Sequence, residues 1–220
     1  ALTTQNSDTT NYNVAVGYDA GQAVTTGIRN TLIGSKAGDA FTDADYNVAL
    51  GYNALGSDTL GSTSTAIGYS ALLTQNFTTA TNSNNTAVGY LAGTAVTTGI
   101  NNTFVGGLAG DSVTTGDNNV AVGYAALDAN QTANHNVAIG GSALGSNTTG
   151  ATNTAVGGES MTANTEGGNN VALGYQSLHD LTTGSNNVAI GYQALSTEDA
   201  HGDNVAVGYQ SLKTLNAGAD

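Results

Sequence analysis

The 220-residue chain contains no cysteine and no proline. Without cysteine it forms neither a disulfide framework nor a thiolate metal site, which excludes small disulfide-stapled and zinc-thiolate domains. Proline has no backbone N–H to donate, so it is depleted from the interior of sheets. A chain that lacks proline and has 31 glycines therefore favours short strands joined by tight turns.

Charged residues, and basic ones above all, are also scarce. Only 9% of residues are charged, and 3 Lys and Arg against 16 Asp and Glu give a net charge of −13. Basic patches bind nucleic acids and anionic membrane surfaces, so this balance argues against both partners. No stretch approaches the roughly 18 apolar residues of a membrane-spanning helix, and we expect no membrane insertion. The chain begins at Ala1 without a methionine, so we expect a processed chain or a fragment.

What the sequence does contain is one phrase repeated at a fixed interval. The pattern Asn-Val-Ala-Val-Gly-Tyr-x-Ala-Leu recurs twelve times with variations, and its central glycines are 17 residues apart except for one spacing of 21. These glycines are Gly17, Gly34, Gly51, Gly68, Gly89, Gly106, Gly123, Gly140, Gly157, Gly174, Gly191 and Gly208. Such a period indicates a solenoid, because one short repeat cannot bury its own apolar face and must stack on its neighbours.

A longer period lies on top of the first. Residues 21–55 match residues 93–127 at an offset of 72, which is four repeats plus the four-residue insertion between Gly68 and Gly89. We infer that a block of four repeats has been duplicated.

The repeat is numbered here from its Asn as position 1. Val or Thr stands at position 2, Ala at position 3 except for Leu32 and Phe104, an aliphatic residue at position 4 and Gly at position 5. Positions 2 to 4 predict a short strand, and we expect a second strand over positions 7 to 9 and polar turns over positions 10 to 17. Parallel pairing between successive repeats predicts an all-β parallel β-solenoid, with residues 1–12 as a partial N-terminal coil and residues 13–220 as a single domain of twelve coils.

Stacking places equal positions in columns along the axis. The Asn column predicts a structural ladder of hydrogen-bonded amides, and the Tyr column at position 6 predicts either a structural aromatic stack or a glycan-binding strip. The ladder residues are Asn13, Asn47, Asn119, Asn187, Tyr52, Tyr69, Tyr90, Tyr175, Tyr192 and Tyr209.

The first strand carries no charge on either side in any repeat. Positions 2 and 4 point one way and position 3 the other, and a strand that is apolar on both sides needs cover on both. One side is the core. The sequence does not identify which side is the core. The side that is not the core is expected to contact another copy of the chain, which predicts a homo-oligomer. Position 7 is mostly polar and is expected to face water.

The run Asn-[Val/Thr]-Ala-[Val/Ile]-Gly-x-x-[Ala/Ser], carried by residues 13–220, resembles the head repeat of trimeric autotransporter adhesins and the repeat arrays of phage tail-fibre proteins. The resemblance implies a left-handed β-roll, a homotrimer, and a location that is extracellular, at a cell surface or in a virion fibre. The 17-residue repeat with its long polar turn is closer to the tail-fibre type.

Chemistry-bearing residues do not gather in the repeat pattern. The three histidines, His135, His179 and His201, fall at positions 17, 10 and 15, so they form neither a column nor a cluster. No Ser-His-Asp set and no phosphate-binding loop stands out. We therefore expect no catalytic residue, no metal, no cofactor and no enzymatic activity.

The predicted function is that of a structural or adhesive fibre segment that attaches to a cell-surface glycan or protein receptor. The alternative is a subunit of a self-assembling extracellular filament, formed by end-to-end stacking. Insertions in repeat proteins often lie on the binding face, so the insertion within residues 73–84 is the candidate receptor site, and a tolerated surface insertion is its alternative. Its candidate contact residues are Phe77, Thr78, Thr79 and Asn82.

Overall fold

The computed structural model of the chain describes residues 1–5, 10–197 and 199–214. Residues 6–9 of the predicted partial coil, Glu198 and residues 215–220 lie outside the described part. The chain divides into two compact units, Ala1–Thr115 and Gly116–Asp220. The described residues form strands and turns but no helix, and so contain no helix with the length and apolar character to cross a membrane.

The fold is an all-β parallel solenoid of about 11 turns, with strands about 17 residues apart. In the described residues every repeat contributes one three-residue strand at positions 2 to 4, and two further strands of two residues lie near the insertion. The strands are β1 (Val14–Val16), β2 (Thr31–Ile33), β3 (Val48–Leu50), β4 (Gly61–Ser62), β5 (Thr65–Ile67), β6 (Thr81–Asn82), β7 (Thr86–Val88), β8 (Thr103–Val105), β9 (Val120–Val122), β10 (Val137–Ile139), β11 (Thr154–Val156), β12 (Val171–Leu173), β13 (Val188–Ile190) and β14 (Val205–Val207).

In the first unit the three-residue strands pair in parallel in the order β1-β2-β3-β5-β7-β8. The 21-residue spacing falls between β5 and β7, yet Thr65 still pairs with Thr86, so the insertion leaves the register of the sheet unchanged. The inserted segment adds its own short parallel pair, because β6 pairs with β4.

The second unit pairs its strands in the order β9-β10-β11-β12-β13-β14, with Ala138 opposite Ala155. Turn residues also bond to the neighbouring turn of the solenoid, as when the Leu144 N–H donates to the Ser160 carbonyl at 2.9 Å. Backbone groups are thus paired along the axis both inside and outside the strands, which meets the requirement that buried N–H and C=O groups find partners.

The predicted second strand over positions 7 to 9 is wrong. Both position 7 and position 9 adopt left-handed backbone angles, as shown by Gln176 with φ 54° and Leu178 with φ 50°. Alternating left-handed residues reverse the chain direction and cannot continue a strand. The consequence is that positions 8 and 9 both point inward, and Ala143 and Leu144 are fully buried.

Columns of residues at positions 3, 8, 9 and 12 form the core. The repeat pattern predicts a polar turn at position 12, but Val24, Val96 and Leu181 are fully buried there. The signal was present in the sequence as an apolar residue recurring at position 12, and Phe41 and Val113 belong to the same column.

The exceptions at positions 3 and 9 compensate each other. Position 9 is glycine at Gly93 and Gly110, and a Cβ atom built at either residue would lie 2.7 Å or less from the ring of Phe104 at position 3. Leu32 fills the corresponding space beside Gly21 and Gly38. A large residue at position 3 therefore replaces the leucine that is missing at position 9, which keeps the interior close-packed.

Candidate functional site

The structure decides which side of the strand looks outward. At position 3, Ala49 and Ala138 are fully buried, whereas at position 4 the side chains of Val16 and Ile139 are 58% and 39% exposed. The residues at positions 2 and 4 of the three-residue strands are called the outward strand face below. This face of each unit has no cover within the described residues.

The outward strand face is uncharged throughout and mostly apolar. Its residues are Val, Thr, Ile and Leu in every repeat, and no Asp, Glu, Lys or Arg stands at positions 1 to 6 in any repeat. The charges lie at position 7 and in the turn from position 10 to position 17, for example Glu159 at position 7 and Asp45 at position 16. A large uncovered apolar patch with a polar rim is typical of a surface that contacts another macromolecule.

Tyrosines at position 6 border this face. In the first unit Tyr52, Tyr69 and Tyr90 stack with ring centroids 5.3 and 5.5 Å apart. In the second unit Tyr192 lies between Tyr175 and Tyr209, with centroid distances of 5.8 and 5.3 Å.

The stacked geometry bears on the predicted glycan-binding strip. Interplanar angles of 20° or less mean that the faces of the rings are turned towards one another along each stack. A sugar packs on an aromatic face, and the central rings of Tyr69 and Tyr192 have both faces occupied. The geometry therefore favours the structural stack over the glycan-binding strip.

A row of amides runs beside the tyrosine stack of the second unit, at position 7. The Gln210 amide donates to the Gln193 side chain at 2.9 Å, Gln193 donates to Gln176 at 2.7 Å, and Gln176 donates to the Glu159 carboxylate at 2.7 Å. The Tyr175 hydroxyl donates to the same carboxylate, whose negative charge raises the pKa of Tyr175. This polar row is half-exposed and lies where the sequence predicted a water-facing position.

The side-chain amides of the Asn column form hydrogen bonds mainly with backbone groups and less often with one another. The Asn47 Oδ1 accepts the backbone N–H of Ser64 at 2.8 Å, and its Nδ2 donates to the Gly61 carbonyl at 2.9 Å. Asn13, Asn119 and Asn187 each accept the backbone N–H of the next Asn in the same way. Each of these amides thereby fixes the end of one turn of the solenoid to the start of the next strand.

The insertion places its predicted contact residues in two different environments. Phe77 is only 6% exposed, and its N–H donates to Asp58, so its ring belongs to the interior and offers no surface to a receptor. Thr78, Thr79 and Asn82 are exposed. Phe77 is therefore corrected from a contact residue to a core residue, since burial of an aromatic ring stabilises the inserted segment.

A buried polar network beneath the insertion was missed in the sequence. Gln75 and Asp58 are both fully buried at position 12, and the Gln75 Nε2 donates to the Asp58 carboxylate at 2.6 Å. The other Asp58 oxygen accepts the N–H of Gly61 at 2.9 Å, and the Gln75 Oε1 accepts the Asn85 amide at 2.8 Å. Burial raises the pKa of Asp58, while these hydrogen bonds act in the opposite direction. The available signal was a polar residue at position 12 in both of these repeats, where the repeats before and after them have Phe41 and Val96.

Groups that could hold a metal ion do not assemble in the described part of the chain. No three His, Asp or Glu side chains of residues 1–5, 10–197 and 199–214 come together as ligands for a metal ion. His179 lies beside Asp180, with its Nδ1 2.6 Å from the carboxylate, and both side chains are partly exposed.

The parallel solenoid is compatible with the β-roll that the repeat resemblance implies. Comparison of the chain with known proteins finds no matching family model, no matching curated protein and no matching solved structure.

Proposed function

We propose that the chain is a structural and adhesive fibre segment, and not an enzyme, which assembles with copies of itself and mediates attachment to a cell surface or receptor. The observation that supports this proposal is the outward strand face, which is mostly apolar, uncharged and partly exposed on turn after turn of the solenoid. In an isolated chain this surface remains in contact with water. Full burial of one Val or Ile side chain contributes about 1.5–3 kcal/mol, so covering a column of them favours association.

A second copy of the chain fits this surface for two physical reasons. Copies share the same repeat, so their columns advance along the axis by the same step of about 4.8 Å per strand. With 16 acidic residues against 3 basic ones, two copies repel each other over most of their surface. Positions 1 to 6 carry no charge, so contact along this strip brings no carboxylates directly together.

A homotrimer, as the repeat resemblance implies, is the proposed oligomer, and an extracellular cell surface or a virion fibre is its proposed location. The attachment role also follows from that resemblance. Its proposed receptor is a cell-surface glycan or protein, and the exposed Thr78, Thr79 and Asn82 remain candidates for that contact.

Size-exclusion chromatography coupled to light scattering tests the proposal directly. We expect a particle of three times the 21.7 kDa chain mass that does not dissociate at micromolar concentration. A folded monomer under the same conditions would contradict self-association. Electron microscopy separates the two forms of assembly, because discrete particles support the fibre segment and filaments of unlimited length support the end-to-end alternative.

A further inference from the structure

Three exposed residues at position 17 of the first unit form a cation–aromatic cluster. The Arg29 Cζ lies 5.9 Å from the ring centroid of Tyr12 and 5.3 Å from that of Tyr46. The Arg29 Nη1 also donates to the Tyr46 hydroxyl. Tyr12 is 68% exposed and Tyr46 is 49% exposed, so the cluster lies on the surface.

The charge of Arg29 contacts two aromatic rings, but it is not neutralised by a carboxylate within the described part of the chain. No carboxylate of residues 1–5, 10–197 and 199–214 forms an ion pair with its guanidinium group. The chain has only 3 basic residues against 16 acidic ones, so an arginine without a carboxylate partner is unexpected. A cation–π contact consumes no hydrogen-bond donor, and a guanidinium group has five N–H donors, of which one is given to Tyr46.

The duplicated block shows that the fold does not need this cluster. At the offset of 72 residues, Tyr12 corresponds to Asn84 and Arg29 to Asn101. The backbone is the same in both copies, since φ is 50° at both Tyr12 and Asn84, and 57° at Arg29 against 59° at Asn101. In the second copy the Asn84 amide donates to the Asn101 side chain at 3.1 Å.

The backbone preference alone would favour the asparagines. Left-handed angles are populated several-fold more by Asn than by bulky residues, which pay a steric penalty there. Tyr12, Arg29 and Tyr46 therefore replace the residue type that suits the backbone best. The backbone preference therefore does not account for these three residues.

We propose that Tyr12, Arg29 and Tyr46 form a binding site for the carboxylate group of an acidic sugar. The guanidinium fork matches the two oxygens of a carboxylate, and the adjoining rings supply apolar surface and hydroxyl groups for the body of the sugar. The net charge of −13 repels a polyanion such as nucleic acid more strongly than a glycan that carries a single carboxylate. The site deepens the proposed attachment function, on which it rests, by naming the ligand class.

The experiment measures the binding of glucuronic acid and of N-acetylneuraminic acid by saturation-transfer NMR, with glucose, the methyl ester of each acid and inorganic phosphate as comparison probes. We expect both acids to bind and glucose and the esters to bind at least tenfold more weakly. The variant Arg29→Asn, which introduces the residue of the second copy, should weaken binding of the acids at least tenfold. Lys36→Asn is the matched control, because Lys36 is exposed in the same unit and its loss changes the net charge equally. Its affinity should stay within twofold of wild type.

Four outcomes would overturn the site. They are no binding of either acid at millimolar concentration, equal binding to wild type and Arg29→Asn, equal losses in Arg29→Asn and Lys36→Asn, and binding of inorganic phosphate as strong as that of the acids. Thermal unfolding of Arg29→Asn should match that of wild type, since Asn101 adopts the same backbone. Light scattering of the same samples reports self-association separately, so a failed fibre assembly and a failed sugar site are distinguishable.

Discussion

A methyl group added at Gly140 would lie 2.6 Å from the carbonyl oxygen of Gly157 in the next turn of the solenoid. Gly140 also has φ 133°, a backbone conformation that side chains rarely adopt. We expect Gly140→Ala to destabilise the chain by roughly 2–6 kcal/mol, because backbone strain and overpacking contribute about 1–3 kcal/mol each. Gly141 is the control, since an added Cβ atom there meets no heavy atom within 4 Å. Gly141→Ala should leave the urea midpoint nearly unchanged, and equal midpoints for the two variants would contradict this account of position 5.

Adjacent residues of β10 separate folding from association. Ala138 is fully buried, and Ala138→Asp places an unpaired carboxylate in the core, which costs several kcal/mol and should prevent folding. Ile139 lies on the outward strand face, and Ile139→Asp should give a folded chain of monomer mass. Circular dichroism and light scattering measure the two effects. An Ile139→Asp variant that keeps the wild-type mass would show that this face is not the interface.

Tyrosine stacking predicts that replacing different tyrosines at position 6 changes the free energy of unfolding by different amounts. Tyr192 contacts rings on both sides, so Tyr192→Ala should cost about 1–2 kcal/mol, from two aromatic pairs of about 0.5–1.5 kcal/mol each and allowing for exposure. Tyr124 is 66% exposed, and the next repeat has Gly141 at the equivalent position, so Tyr124→Ala should change stability by less than about 0.5 kcal/mol. Urea unfolding of both variants measures the difference, and equal losses would contradict a stabilising stack.

The insertion predicts a contrast between its buried and exposed residues. Phe77→Ala should lower the free energy of unfolding by about 3–5 kcal/mol, since it removes a buried ring. Thr79→Ala changes an exposed side chain and should stay within about 0.5 kcal/mol of wild type. Thermal unfolding measures both variants. A stable Phe77→Ala variant with lost receptor binding would instead restore Phe77 as a contact residue.

Asp58 predicts a specific pH dependence of stability. Burial raises its pKa above the unfolded value of 3.8, so between these two values the folded state binds more protons than the unfolded state. The stability contributed by Asp58 therefore increases as the pH falls through the folded pKa towards 3.8. Its hydrogen-bond partners are the Gln75 amide and backbone N–H groups, which do not titrate in this range. We expect the melting temperature of wild type, relative to Asp58→Asn, to rise from pH 7 to pH 4, and a fall over that range would reverse the assigned sign.

Much of the candidate surface could be predicted from the sequence, and part of it could not. The absence of charge at positions 2 to 4 indicated a covered strand and hence a partner. The burial of Phe77 could not be predicted, because it depends on how the inserted segment packs on the preceding turn, where the Phe77 N–H donates to Asp58. The contact of Arg29 with Tyr12 and Tyr46 became visible only when residues 17 apart were brought side by side.

The sequence by itself determined the period, the place of the strand in each repeat and the parallel register. The reason is that stacked tandem repeats align residues of the same repeat position, whatever course the backbone takes through the turns. Only the tertiary structure decided which strand face is the core. The side chains at positions 2 and 4 are larger than those at position 3, but this difference did not identify the core face, because neither face carries a charge. Left-handed angles at positions 7 and 9 turn Ala143 and Leu144 inward, and the position 12 column fills the remaining interior. Little room is then left on the strand side, so the small Ala138 faces the core and the larger Ile139 faces outward.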